Sequence, residues 1–141
     1  MQPSFLIKLS FFFLILFSCD ESIEERSATW SVIQKSIIEP NCASCHVDGS
    51  AIERQSGLSL SKDKAFISMV GALPKNKSAR DDGLFIVSTQ KGMKGLTQSY
   101  LWEKINAYDQ EHYLADHPHY GQLMPHGGTF LSDGELKFMR S

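Results

Sequence analysis

The sequence has few cysteines, no excess of positive charge and no long apolar run. Only three cysteines occur among 141 residues, which is too few for the disulfide framework of a small secreted domain. The formal net charge of −2 provides no basic surface for nucleic acid. The longest apolar run, over residues 9–17, has about nine residues, whereas a membrane-spanning helix needs about 20. The length suits a single domain.

Two of the three cysteines lie in the sequence Cys42-Ala43-Ser44-Cys45-His46. The pattern C-x-x-C-H is the attachment signature of c-type haem. It places two thiols about one helical turn apart, as bonding to the two vinyl groups of one haem requires, and the next residue can bind the iron as proximal ligand. The motif therefore predicts one covalently bound haem c, held by Cys42 and Cys45 and ligated by His46.

Three other interpretations of this motif are open. A thioredoxin-type dithiol uses the same cysteine spacing but needs a βαβ pattern around it, and the sequence has no such pattern. A zinc site needs four ligands, usually including a second cysteine pair, and no second pair exists. The third alternative is a chance occurrence of these five residues.

Residues 1–18 have the pattern of a secretory signal, in which Lys8 supplies positive charge and the apolar run follows it. The run ends in Leu16-Phe17-Ser18-Cys19, which resembles a bacterial lipobox. That resemblance implies that Cys19 becomes the first mature residue and carries a lipid anchor; the alternative is ordinary signal cleavage nearby. Either outcome predicts export to the periplasmic or cell-surface side of a bacterial membrane, where c-type haem is attached.

Residues 19–27 are polar and acidic and predict a solvated tether, so the domain would comprise residues 28–141. Helical spacing of apolar residues predicts a first helix that ends before Pro40, because proline cannot continue a helix. A second helix is expected over about residues 62–70 and a third up to about residue 108. We expect loops over residues 47–57, 91–95 and 109–121, and one extended segment over residues 84–87.

The last predicted helix begins at Ser132-Asp133-Gly134-Glu135, which matches the S-x-x-E capping box. It reaches Ser141 after about two turns, and helices this short are marginal alone. We therefore expect the chain to continue beyond Ser141, with the given domain truncated in its last helix.

The segment of residues 109–121 contains three of the five histidines, namely His112, His117 and His119. The simplest interpretation is that these histidines lie on the surface of a polar loop. The segment could also provide a second metal site, or supply a histidine as sixth ligand to a haem iron.

Over residues 28–141 the chain resembles a mono-haem, class I-like cytochrome c domain of a bacterial exported lipoprotein. The resemblance rests on a helix leading into Cys42–His46, on Met124-Pro125 in a glycine-rich loop, and on the capped last helix. It implies an all-α fold of about four to five helices around one covalent haem, with His46 proximal and Met124 distal. A thioether is a soft ligand that stabilises ferrous iron. A histidine or Met93 are the alternatives to Met124.

The function implied by this resemblance is electron transfer, either as a carrier or as the redox domain of a larger exported protein. Such a chain is not an enzyme, and its partners are other redox proteins and, through Cys19, the membrane. One alternative is a haem enzyme, such as a peroxidase or a small-molecule oxidoreductase, in which His126 serves acid–base chemistry. Another is a gas-binding haem module in which the gas displaces Met124.

Overall fold

The structure, a computed structural model, describes residues 29–107 and 110–141. The predicted signal over residues 1–18, the lipidation site Cys19 and the tether therefore lie outside the described residues. Within the described ranges the regular secondary structure is helical, which confirms the all-α class. The helices are shorter and more numerous than the four to five that we predicted. No helix in these ranges is long and apolar enough to span a membrane.

Helix α1 covers residues 29–41 and changes its winding on the way. It is α-helical over residues 29–33, π-helical over Gln34–Ile38 and α-helical again over Glu39–Asn41. The helix thus passes through Pro40, where we predicted its end. A proline removes one N–H and its ring crowds the carbonyl four residues earlier, and the wider π turn accommodates both effects. The Glu39 N–H accordingly donates to the Gln34 carbonyl, five residues back.

Seven further helices follow in the described ranges, each of one to two turns. They are α2 (Ala51–Ser56), α3 (Ala65–Met69), α4 (Lys77–Asp81), α5 (Gly92–Thr97), α6 (Tyr100–Ile105), α7 (Gln110–Asp116) and α8 (Asp133–Arg140). Helices α3, α6 and α8 lie where helices were predicted. The extended segment at residues 84–87 is also present, as two isolated parallel bridges that join Val87 to Val70 and Phe85 to Ser99.

Helices α2, α5 and α7 lie in segments that we predicted to be loops, and that prediction was wrong. For α2 a local signal existed, because Ser50-Ala51-Ile52-Glu53 is an S-x-x-E sequence and the Ser50 hydroxyl accepts the Glu53 N–H at 2.9 Å. No such signal exists for α5, because its N-cap residue Lys91 makes no side-chain cap hydrogen bond. Its Gly95 is buried, and a Cβ there would lie 2.1 Å from the Gln90 carbonyl oxygen.

Among the residues that the structure describes, the core consists of three clusters of buried side chains. The first contains Ile38, Leu60, Ala65, Met69 and Ile86; the second contains Ile37, Ile105, Leu131 and Leu136; the third contains Ala79, Leu84 and Tyr120. Two consecutive residues of the π turn, Ile37 and Ile38, thus enter different clusters. Helix α1 therefore packs against both the first and the second cluster. It leads directly into the cysteine motif.

Candidate functional site

The five residues Cys42–His46 form a tight turn at the end of α1. The N–H groups of Cys42 and Ala43 both donate to the Ile38 carbonyl, at 2.9 and 3.0 Å. The N–H groups of Cys45 and His46 then both donate to the Cys42 carbonyl, at 3.3 and 3.1 Å. These bonds keep the motif coiled and bring together the three residues predicted to hold a haem. Cys42 and Cys45 are free thiols, the first half-buried and the second exposed.

His46 is buried, and its ring contacts the last residue of α2 and the segment that follows it. Its Nδ1 lies 3.3 Å from the Leu58 carbonyl oxygen and 3.4 Å from the Ser56 hydroxyl. A carbonyl can only accept a hydrogen bond, so the contact with Leu58 requires the proton on Nδ1. The lone pair of Nε2 is then available to a metal, which is the usual arrangement for a metal-binding histidine.

The electrostatic environment of His46 also favours the form that binds metal. Burial lowers the pKa of His46 below its ordinary value of 6.5, and the hydrogen bond to the Leu58 carbonyl opposes this shift. A metal binds the neutral imidazole, so a lowered pKa keeps the ligand available at neutral pH.

Two loop contacts brace the backbone of the motif. The Ser50 hydroxyl, which caps α2, also donates to the Cys45 carbonyl at 2.9 Å. The Leu60 N–H donates to the His46 carbonyl at 2.7 Å. The chain from Ser50 to Leu60 therefore folds back on the motif, and sequence reasoning did not identify Ser56 or the Leu58 carbonyl as contacts of His46. A backbone carbonyl leaves no signal in a sequence, because every residue has one.

The environment of Cys42 disfavours the thioredoxin-type interpretation. Burial, followed by the charges of Glu135 and Cys45, raises the pKa of the Cys42 thiol to about 11. Catalytic dithiols need the opposite, a lowered thiol pKa, which a helix N-terminus or a nearby cation provides. Cys42 instead follows the C-terminal end of α1, where the helix dipole disfavours a thiolate.

Glu135 also joins the last helix to the first. Its carboxylate accepts the Ser132 N–H at 2.8 Å and the Ser132 hydroxyl at 2.7 Å, so the predicted capping box is confirmed. The Asn41 side-chain amide donates to the same carboxylate at 3.2 Å. Ile37 of α1 and Leu136 of α8 pack in one cluster. The start of α8 therefore lies against the end of α1, next to the cysteine motif.

Met124 lies on the side of α1 that carries the second cluster. It is half-buried and packs against this cluster, and its N–H donates to the Lys104 carbonyl at 2.7 Å. Cys42 and Ala43 pack against the first cluster. The peptide bond between Met124 and Pro125 is cis. The backbone of Met124 is thus fixed by a hydrogen bond to α6. The role of its thioether as distal ligand stays a prediction.

The other methionines and histidines considered as ligands differ from Met124 in their exposure and surroundings. Met93 is 69% exposed and lies in α5 rather than in a loop. Met69 is buried in the first cluster. His119 and His126 are exposed.

His112 and His117 converge with a residue that sequence reasoning missed. One ligand atom from each of Glu103, His112 and His117 lies within 4.8 Å of the others. Among residues 29–107 and 110–141, these three side chains form the group of histidine, cysteine or acidic residues that is close enough to hold a metal ion. The group includes no residue of the cysteine motif. The structure therefore adds no support to a zinc site at Cys42–His46.

The donor set of the motif fits haem c. It offers two free thiols at the required spacing and a buried imidazole with Nε2 available. The Met124 thioether packs against the second cluster, whereas Cys42 packs against the first. A comparison with protein-family models finds no match, and searches of curated proteins and of solved structures find no significant similarity. The assignment of the site therefore rests on the residues of this chain alone.

Proposed function

We propose that this chain binds one haem c covalently and transfers electrons. The observation that carries the proposal is the turn Cys42–His46, in which two free thiols accompany a buried histidine whose Nδ1 faces a backbone carbonyl. In this proposal Cys42 and Cys45 would hold the group through thioether bonds, and His46 Nε2 and the Met124 sulfur would bind its iron. Bound in this way, the haem supplies an iron that accepts and releases one electron.

The protein side chains then have three tasks in electron transfer. The Leu58 carbonyl orients the His46 imidazole and strengthens it as a donor, because a hydrogen bond at Nδ1 increases the electron density at Nε2. The Met124 thioether favours the ferrous state and so raises the potential. The first cluster provides apolar packing next to Cys42, and the second provides it next to Met124.

We favour electron transfer over haem enzymology because His46 and Met124 together would leave the iron no open position for a substrate. An enzyme would need an open sixth position and an acid–base group held near it. His126 is exposed in the loop after Met124, so it is not positioned by a buried contact. We propose accordingly that the partners are redox proteins. We further propose that the chain is exported and anchored by lipid on Cys19, either as a carrier or as part of a larger redox protein.

The test of covalent attachment compares the wild type with Cys42→Ala/Cys45→Ala, both produced with the native signal in a bacterium that attaches c-type haem. The wild type should keep its haem through denaturation, and the double variant should lose it. Ser44→Ala, at a variable position of the motif, is the matched control and should behave as the wild type. Haem that resists denaturation in the double variant would refute the thioether assignment.

Absorption spectra of the same protein discriminate among the candidate functions. A low-spin ferrous spectrum, with the weak far-red ferric band of methionine sulfur, supports His46/Met124 ligation and a carrier. A low-spin spectrum without that band indicates a histidine as sixth ligand. A high-spin spectrum indicates an open site and favours the enzyme or the gas-binding module.

A further inference from the structure

A second group of metal-binding side chains lies between α6 and the end of α7. Glu103 is a half-buried residue of α6, His112 is an exposed residue of α7, and the half-buried His117 follows α7 directly. Their ligand atoms lie within 4.8 Å of one another. A tetrahedral Zn²⁺ with bonds of about 2.0–2.1 Å holds its ligand atoms roughly 3.4 Å apart. Small side-chain rotations, which the exposure of His112 permits, would close that difference.

Neighbouring groups already orient the two histidines. The His112 Nδ1 lies 2.9 Å from an Asp116 carboxylate oxygen. With its proton on Nδ1, His112 donates to this carboxylate and presents Nε2, as in the carboxylate–histidine–metal arrangement of known sites. The His117 ring stacks on Tyr120, with centroids 4.4 Å apart and planes 5° apart. The Tyr120 hydroxyl is in turn anchored on Asp82 at 2.7 Å.

We propose that Glu103, His112 and His117 bind one Zn²⁺ ion, with water as the fourth ligand. Two imidazoles and one carboxylate form a donor set typical of zinc, whereas Mg²⁺ and Ca²⁺ require mainly oxygen donors. This site shares no residue with the proposed haem site and does not depend on it.

The bound ion would connect α6 to the segment that leads to Met124. Glu103 precedes Lys104, whose carbonyl accepts the Met124 N–H at 2.7 Å and whose ammonium group donates to the Tyr120 carbonyl at 3.1 Å. The segment from His117 to Met124 makes both of these contacts with Lys104. Zinc binding should therefore stabilise the folded form of this part of the chain, since it favours the state in which all three ligands are in place.

The experiment is calorimetric titration of the full-length, chelator-treated protein with Zn²⁺, together with elemental analysis of zinc and iron. The wild type should bind one Zn²⁺ per chain. His112→Ala and Glu103→Gln should each weaken the affinity by about tenfold or more. His119→Ala is the matched control, since His119 is a nearby exposed histidine outside the group, and it should keep the wild-type affinity.

Free cysteines also bind zinc, so the titration is repeated with Cys42→Ala/Cys45→Ala. Zinc binding that persists in this double variant and is lost on adding His112→Ala supports the proposed site. Zinc binding that disappears with the cysteines, or that is equal in His112→Ala and His119→Ala, would overturn it. Circular dichroism without metal gives the unfolding temperature of each variant. A variant whose unfolding temperature matches the wild type is folded, so a weakened zinc affinity in it reports the loss of a ligand. Glu103→Gln provides the second, shape-conserving variant for this comparison.

Discussion

At the scale of single residues, the motif is governed by burial and by one backbone carbonyl. Burial shifts the pKa of the His46 imidazole down and that of the Cys42 thiol up, because it penalises the charged form of each group. Both residues are therefore held neutral at neutral pH. The Leu58 carbonyl then selects the tautomer of His46. These are the properties expected of an iron ligand and of a thiol with no redox cycle of its own.

Met124→Ala tests the distal ligand at this scale. Under the proposed ligation, the variant should keep covalent haem, have a lower reduction potential and bind carbon monoxide faster, because the proposed soft sixth ligand is removed. Loss of the half-buried side chain should also reduce the free energy of unfolding by roughly 1–3 kcal/mol. Redox titration and carbon monoxide binding are the measurements. Met93→Ala, at a position 69% exposed, is the control. An unchanged spectrum and potential in Met124→Ala would show that another group ligates the iron.

At the scale of elements, the helices begin and end through side-chain contacts that also tie distant parts together. The π turn of α1 allows the helix to pass through Pro40 and sends Ile37 and Ile38 into separate clusters. The capping box of α8 uses Glu135, which at the same time accepts a hydrogen bond from Asn41 at the end of α1. One carboxylate therefore starts the last helix and fixes it beside the cysteine motif.

The capping box predicts a pH dependence of stability. The Ser132 N–H, and then the Ser132 hydroxyl, lower the pKa of Glu135 below its ordinary value of 4.5. A group whose pKa is lowered on folding adds stability above its unfolded pKa, and this stability is lost as pH falls through the folded value. Glu135→Gln has no charge to titrate, so its stability deficit relative to the wild type should shrink below pH 4.5.

Urea denaturation of wild type and Glu135→Gln over about pH 3–7 checks this expectation. Asp63→Asn, a change at an exposed turn residue, serves as the control and should follow the wild type across the range. A deficit of Glu135→Gln that stays constant over the whole range would contradict the role of the charged carboxylate.

At the scale of the whole molecule, tertiary contacts rather than helix propensity hold the described parts together. Helices of one or two turns are marginal in isolation, so their stability comes from the clusters that they share. Leu101 packs against both the first and the second cluster. The Gln34 amide donates to the Lys62 carbonyl at 2.8 Å, and the Asn76 amide donates to the His119 carbonyl at 2.9 Å. The described helices should therefore unfold together.

Leu136→Ala tests how strongly the last helix contributes to this core. Leu136 is 5% exposed in the second cluster, and its truncation should reduce the free energy of unfolding by about 2–4 kcal/mol. Leu73→Ala removes the same atoms at a position 61% exposed and should change that free energy by less than about 0.5 kcal/mol. Chemical denaturation of both variants in the same haem state is the measurement. Equal effects of the two substitutions would mean that α8 does not stabilise the core.

The sequence by itself determined the features whose chemistry lies in contiguous residues: the cysteine motif and the capping box at Ser132–Glu135. Only the tertiary structure decided which groups surround them. The Leu58 carbonyl at His46 and the convergence of Glu103 with His112 and His117 join residues that no local pattern links. The short helices α5 and α7 were missed for a related reason, whereas α2 carried a local capping signal at Ser50 and Glu53. Segments of so few residues acquire their conformation from packing and capping partners, not from the periodicity of their own sequence.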